Sequence, residues 1–436
     1  MQKLTIIGAG SAMFTQGLVA DMILSRRPWQ LGLVDIDPDA LAVAEGLSRK
    51  MVAARGAEIA ITASTDRREV LPGSDVVVTT IGVGGRRGWE SDVFIPRQFG
   101  VYQPVGDTIM AGGISRALRL VPAMLGIAAD VVRLCPAAHF INYANPMSVI
   151  CRAVRKAIGA PIVGLCIGVQ EVCDELADFI AAPRGEVTCL AAGVNHFTWV
   201  YDLRWNGRDA WPLVRDRLAD AGHPLTRAAR ERNPFSWSLF ETYGAYPAVN
   251  DRHVTEFFPE RFPGGAYYGR TLGVDAFSFE GTIAWGDKIY EAMRAQALGA
   301  APLADSVFDR GAGEHSQLIE ILDGMAGDAR PFFTANLPNR GSVPNLPADA
   351  ILEVTATATG RGIRGLAVPD FPDTLAAPLV RKIIGQELTV EAALRGDRKL
   401  FVEALLMDGC VSDVATAGRL ADALLKAHKD DLPQFA

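Results

Sequence analysis

The chain has 436 residues, 49% hydrophobic and 21% charged, with 43 basic against 50 acidic side chains and a formal net charge of −7. That length holds two or three domains or one large body, buries enough apolar surface to fold without disulfide or metal staples, and excludes disorder as the main state. The acidic balance gives no footprint for nucleic acid or an anionic membrane, so small-molecule chemistry is expected. Six cysteines without CxxC pairing argue against a disulfide scaffold and a structural zinc site. No stretch has the ~18 uninterrupted apolar residues of a membrane span, and the N-terminal segment enters a strand without a signal-peptide pattern. A cytoplasmic, globular protein is the expectation.

In chain order, short apolar runs alternate with amphipathic segments. LTIIG (4–8), LGLVD (31–35), VVVTT (76–80), HFINY (139–143) and IVGLC (162–166) read as buried strands. Gln16–Ser25, Pro38–Ala54 and Ser115–Leu134 read as helices between them. Apolar strands separated by helices predict an α/β, doubly wound parallel sheet over 1–190. Beyond it, aromatic, proline and glycine residues crowd 197–285. A helix-rich stretch follows at 285–327, then an extended segment, then two helices at 386–408 and 411–429. The second part, 191–436, therefore reads as α+β.

IIGAGSAMF joins the first strand to the first helix. Gly8 suits a tight turn, and Gly10 lets backbone approach a pyrophosphate at a helix N-terminus. Ser11, Ala12, Met13 and Phe14 complete the loop, with Met13 where a third glycine usually stands. Asp35 ends the second strand, placed to accept hydrogen bonds from an adenosine ribose and to favour NAD over NADP. The bland alternative is an ordinary strand–turn–helix whose acid caps the helix begun by DIDPDAL. TTIGVGG, with Thr80, and NYANPM, with Asn145, lie after later strands, where open α/β sheets bind ligands. Asn145 can offer its amide to a hydroxyl, or simply form a turn before Pro146.

Cys166 ends the IVGLC run, and His196 follows a further strand (VTCLAAG). A thiolate and an imidazole with open positions suit a borderline transition metal, although a buried cysteine and a core histidine are the commoner outcome. IIGAGS, LVDID, DTIMAGGISRALR (107–119), NYANPM, GLC, GVNHF, YGAYPAVNDRHVTEFFP (243–259) and VPNLPADAILEV (343–354) occur in this order through most of the chain. Together they resemble the NAD- and divalent-metal-dependent glycoside hydrolases of family 4, relatives of lactate and malate dehydrogenases.

The resemblance implies a Rossmann-type NAD domain followed by a domain for substrate, metal and oligomer contacts, and a homodimer or homotetramer. It implies that Cys166 and His196 hold Mn²⁺ or a similar ion that chelates the sugar's C2 and C3 oxygens. NAD⁺ would take hydride from C3, a base would remove the acidified C2 proton, the aglycone would leave, water would add, and hydride would return. Tyr246 and Asp251 are the candidate bases, Tyr246 slightly favoured, though each also suits a packing or turn role. Asp107 matches a position near substrate hydroxyls, Arg116 is its candidate partner, and His253 is expected at the sugar or the metal. The substrate implied is a non-phosphorylated, α-linked glycoside.

One departure is Ile167, where family members carry histidine, aspartate or asparagine after the metal cysteine. A butyl group can donate no proton, so the acid is unassigned. Arg86 and Arg87, in GVGGRRGWE, are candidates for binding an anionic substituent, or merely a solvated pair. The competing readings are a net NAD-dependent dehydrogenase of a sugar or hydroxy acid, and a nucleotide-binding sensor without catalysis.

Overall fold

The computed structural model describes residues 1–309 and 317–435. Its first part is a parallel sheet of β1 (Gln2–Ile7), β2 (Trp29–Val34), β3 (Ile59–Ser64), β4 (Val76–Thr79), β5 (His139–Asn142) and β6 (Val163–Gly164). The spatial order is β3-β2-β1-β4-β5-β6, every neighbouring pair parallel. This is the doubly wound order whose strand sequence reverses between β1 and β4, opening a crevice at their carboxyl ends. β4 is buried along its whole length because helices cover both faces.

The sequence places most of these elements within a few residues. The helices run Thr15–Leu24, Pro38–Arg55 and Met110–Leu134. The second starts where DIDPDAL predicts, and its cap is Asp37, whose carboxylate accepts from the amides of Asp39 and Ala40. The third begins five residues earlier than the periodicity suggests and is buried around most of its circumference. Strand β3 gives only a weak alternation and is not among the predicted runs.

The sheet does not stop where the sequence texture changes. β7 (Val187–Val194), β8 (Phe197–Trp205), β9 (Arg208–Asp209) and β10 (Tyr246–Ala248) follow in the chain. A separate two-stranded hairpin, β11 (Ala266–Tyr267) and β12 (Arg270–Thr271), precedes β13 (Phe332–Pro338), β14 (Ile351–Thr359) and β15 (Gly362–Gly365). β13 joins β6 antiparallel through Asn336 and Gly164, and the order continues β14-β7-β8-β10, all antiparallel. Thirteen described strands therefore form one sheet.

At the C-terminus the two expected helices are three: Asp373–Arg395, Arg398–Asp408 and Val414–Ala427. Gly396 ends the first in a left-handed conformation, and the Asp397 carboxylate caps the second. Their apolar faces pack with the helix Met110–Leu134 into one core shared by early and late segments. No described helix is long and apolar enough to cross a membrane.

Candidate active site

At the switch point, Gly8 has φ +91°, and a Cβ there would lie 2.9 Å from backbone atoms of Thr80 and Ile81, so only glycine fits the turn. The Thr80 hydroxyl donates to the Gly8 carbonyl at 2.8 Å, fastening the two strand ends. Asp35 is not a helix cap: it accepts from Gly10 N at 2.8 Å and from Asp37 N at 3.1 Å, holding the glycine loop against its own strand. Ser11 N donates to the Gly8 carbonyl, and Phe14 stacks on Tyr143 with ring centroids 5.3 Å apart. Ala12 packs at the edge of the core, while Met13 is exposed. These residues form the strand–loop–helix that a dinucleotide's pyrophosphate and ribose require, and the bare α-carbons fit close backbone approach.

A second set of polar groups gathers near the antiparallel part of the sheet. β7 and β8 form a hairpin closed by Asn195 and His196, with His196 at φ +66°. The turn is anchored below by Glu353 of β14, whose carboxylate accepts from Thr198 Oγ1 at 2.8 Å and Asn195 Nδ2 at 3.4 Å. Burial pushes the Glu353 carboxyl up to about 7 against these bonds. The His196 ring projects towards Asp107 and His253, and one ligand atom from each of the three lies within 4.8 Å of the others. His253 belongs to the short helix Asn250–Val254, and the two imidazole centroids are 4.4 Å apart.

Asp107 is held from two sides. Its Oδ1 accepts from Thr108 Oγ1 at 2.7 Å and its Oδ2 from Asn145 Nδ2 at 3.1 Å. Arg116 Nε binds the Asn145 carbonyl at 3.0 Å, so Arg116 backs the pair rather than lying on a solvated helix face. Burial would raise the Asp107 carboxyl, but His196, His253 and Arg116 outweigh it and hold it below the usual range. Burial keeps both imidazoles below their ordinary value, His253 strongly so with His196 beside it. Two imidazoles and a carboxylate are a donor set that fits a divalent first-row cation. Cys166 is buried at the end of β6; the adjoining Gly168 is pressed so closely on Val249 that an added Cβ would sit 1.8 Å from its Cγ1. That contact brings the Cys166 turn against the segment leading into His253. Ile167 is buried beside it as the N-cap of the helix Gly168–Phe179.

Three of the sequence candidates sit in surroundings that the spacing did not show. The Tyr246 ring packs against Trp237, centroids 4.8 Å apart, and its hydroxyl donates to Asn250. Burial, with Asp251 and Glu175 nearby, drives its phenol well above 10, opposite to what a base requires. Asp251 is engaged by four donors: the amides of Phe235 and Ser236, the Ser236 hydroxyl and the Tyr267 hydroxyl, at 2.6–2.8 Å. It fastens the first turn of the helix Pro234–Tyr243, a structural duty. Arg86 and Arg87 both pair with Asp287, and Arg86 lies over Tyr290, whose phenol senses Asp35 and Asp37. They belong to the dinucleotide end of the crevice.

Sequence reasoning missed Glu256. Its Oε1 accepts from the amides of Val105 and Gly106 at 2.7 and 2.9 Å, fixing the loop that presents Asp107. Burial, opposed by those two bonds, pushes its carboxyl up to about 8. The signal was present in HVTEFF, where a glutamate stands three residues after His253 amid apolar neighbours.

The profile of family 4 glycosyl hydrolases matches residues 3–182, and that of the family's C-terminal domain matches 191–411. The chain belongs to glycoside hydrolase family 4. An alpha-galactosidase of Rhizobium meliloti (strain 1021) is 32% identical over 454 residues, spanning 100% of this chain and 90% of its own length. An alpha-galacturonidase of Bacillus subtilis (strain 168) is 30% identical, covering 97% of each chain. Among solved structures, a 6-phospho-alpha-glucosidase from gut microorganisms, crystallised with NAD and Mn²⁺, superposes with TM-score 0.85 over 99% of both chains at 19% identity. A malate dehydrogenase from Plasmodium falciparum follows the same fold more distantly, at TM-score 0.52 and 13% identity over 90% of this chain and 99% of its own. A family 4 glycosidase fold with a Rossmann-type half is thereby established, and the hydrolase reading stands ahead of a net dehydrogenase.

Proposed function

We propose that this family 4 member hydrolyses a non-phosphorylated α-glycoside, using NAD⁺ and a divalent cation such as Mn²⁺ within each turnover. NAD⁺ supplies a hydride acceptor and returning donor, and the cation a Lewis acid at the sugar oxygens. The observation that carries this reading is the meeting of Asp107, His196 and His253 beside the sheet that carries the Gly8–Asp35 loop. Gly8, Gly10 and Asp35 would seat the dinucleotide. Asn145 Oδ1 is buried without a hydrogen-bond partner, an acceptor free for a hydroxyl of cofactor or sugar. His196, with Cys166 on the neighbouring turn, would hold the cation. Asp107 keeps its charge in the ligand-free protein and would orient sugar hydroxyls. Cysteines outside any disulfide suit a reducing cytoplasm, and a homodimer or homotetramer is the expected assembly.

Within that class a uronate substrate is favoured by Arg252. It adjoins His253, is half-buried, donates to Thr282 Oγ1 at 3.1 Å, and pairs with no carboxylate among the described ion pairs. A sugar carboxylate arriving there would find a guanidinium whose fork is largely unclaimed. The test is a panel of aryl α-galactosides, α-glucosides, α-galacturonides and 6-phosphates, with NAD⁺ and Mn²⁺ each omitted in turn. Aryl release should need both and proceed without NADH accumulation, and R252Q should raise KM for the uronide about tenfold while sparing the neutral sugar. Net NADH without release would overturn the hydrolase assignment; equal losses on both sugars would overturn the role of Arg252.

A further inference from the structure

We infer that His253 and Asp107 are metal ligands alongside His196, giving this chain a two-histidine, one-carboxylate face for the divalent cation. The inference rests on the metal-dependent reading above and extends it from the cysteine–histidine pair to residues on a different loop and helix.

Hydrogen-bond accounting supplies the first argument. Thr108 Oγ1 lies 2.7 Å from Asp107 Oδ1 and 2.8 Å from His196 Nδ1, and a hydroxyl has one proton to give. An ionised Asp107 only accepts, so Thr108 donates to it and must accept from His196. The proton on His196 is therefore on Nδ1, and the Nε2 lone pair is left bare. Fixing one ring nitrogen by a hydrogen bond so that the other can ligate is how metal-bound histidines are held.

The second argument is the orphan. His253 Nδ1 is sealed from solvent and has no hydrogen-bond partner among the described residues. A merely structural histidine edge-on to a second imidazole would turn that nitrogen to a donor or to water. Here His253 is one of three residues that each bring a ligand atom within 4.8 Å of the others. A cation would satisfy the His253 nitrogen and the His196 lone pair at once, and take an oxygen from Asp107, which keeps its bonds to Thr108 and Asn145. Three ligands on one side leave positions open on the other, the arrangement of an open divalent site that also takes substrate oxygens.

The test is Mn²⁺ binding followed by the electron paramagnetic resonance signal of the free ion, on the full-length protein with NAD⁺ present. Wild type, H196A, C166S, H253A, H253Q and D107N are compared, with NAD⁺ affinity checking that each variant is folded. We expect H253A, H253Q and D107N each to weaken Mn²⁺ binding at least about tenfold, a loss that even outer partners of metal ligands produce. H253Q retains the bulk and serves if H253A fails to fold. Wild-type Mn²⁺ affinity in folded His253 variants would overturn the inference while H196A, still defective, kept the metal-dependent reading intact. Absence of Mn²⁺ binding by the wild type would overturn both.

Discussion

Glu256 shows how a side chain that touches no ligand governs a site. Its two amide bonds hold the Val105–Gly106 backbone that leads into Asp107, and burial places its titration near 8. A carboxyl whose folded value lies above its unfolded one carries no penalty below the unfolded pKa of 4.5, and a growing one as pH rises towards 8. Glu256→Gln keeps the acceptor oxygen and cannot ionise. The metal-free variant should therefore match wild type near pH 4.5 and exceed it progressively up to pH 8, by on the order of a few kcal/mol. Denaturant melts at a series of pH values check this, and a pH-independent gap would remove the buried ionisation as its cause. His196 was legible as a candidate from its place after a strand, and Asp107 and His253 through the resemblance to the family. Their mutual distance was not, since 57 residues separate His253 from His196 and 89 separate His196 from Asp107.

At the scale of elements, periodicity found the first two helices to within a residue, and local chemistry closes the second, with Asp37 and Gly56 around Pro38–Arg55. The C-terminal pair was read as one run too long because RGDR, which breaks it, is polar on both sides and leaves the apolar spacing nearly in phase. The surroundings of the base candidates were hidden for a related reason. Tyrosine and aspartate carry the right chemistry, but their partners come from elements distant in sequence. Asp251 caps a helix that begins 17 residues earlier, and the Tyr246 ring is enclosed by Trp237 and Phe240 of that same helix. Asp251→Ala leaves two amides and two hydroxyls without their acceptor and should cost about 3 kcal/mol in urea unfolding. NAD⁺ affinity should be unchanged, and a stability equal to wild type would return Asp251 to the list of reactive groups.

For the whole molecule, the change of texture near residue 190 marks a change of strand direction within one sheet. β6 and β13 meet through Asn336 and Gly164, and the large core draws on Val101 and Leu432 alike. A buried Asp92–Arg119 pair, with His428 Nε2 3.0 Å from Asp92 Oδ1, fastens the C-terminal turn to the first half. Calorimetry of the full chain should show one cooperative transition, whereas two resolved peaks would mean that the halves fold independently. The fragment 1–190, with β6 unpaired on its outer side, should not be recovered as a stable monomer. This continuity bears on how a reaction cycle runs. Enzymes that shed their coenzyme after every event commonly swing two bodies apart to let it out. Here Gly164, at the seam, stands two residues before Cys166, so any such swing would tear the ladder beside the reaction centre. In the proposed cycle the hydride borrowed from the sugar is handed back before the product departs, and the dinucleotide has no need to leave. Only sugar and aglycone must come and go past the rim, traffic that a frame without a hinge can carry.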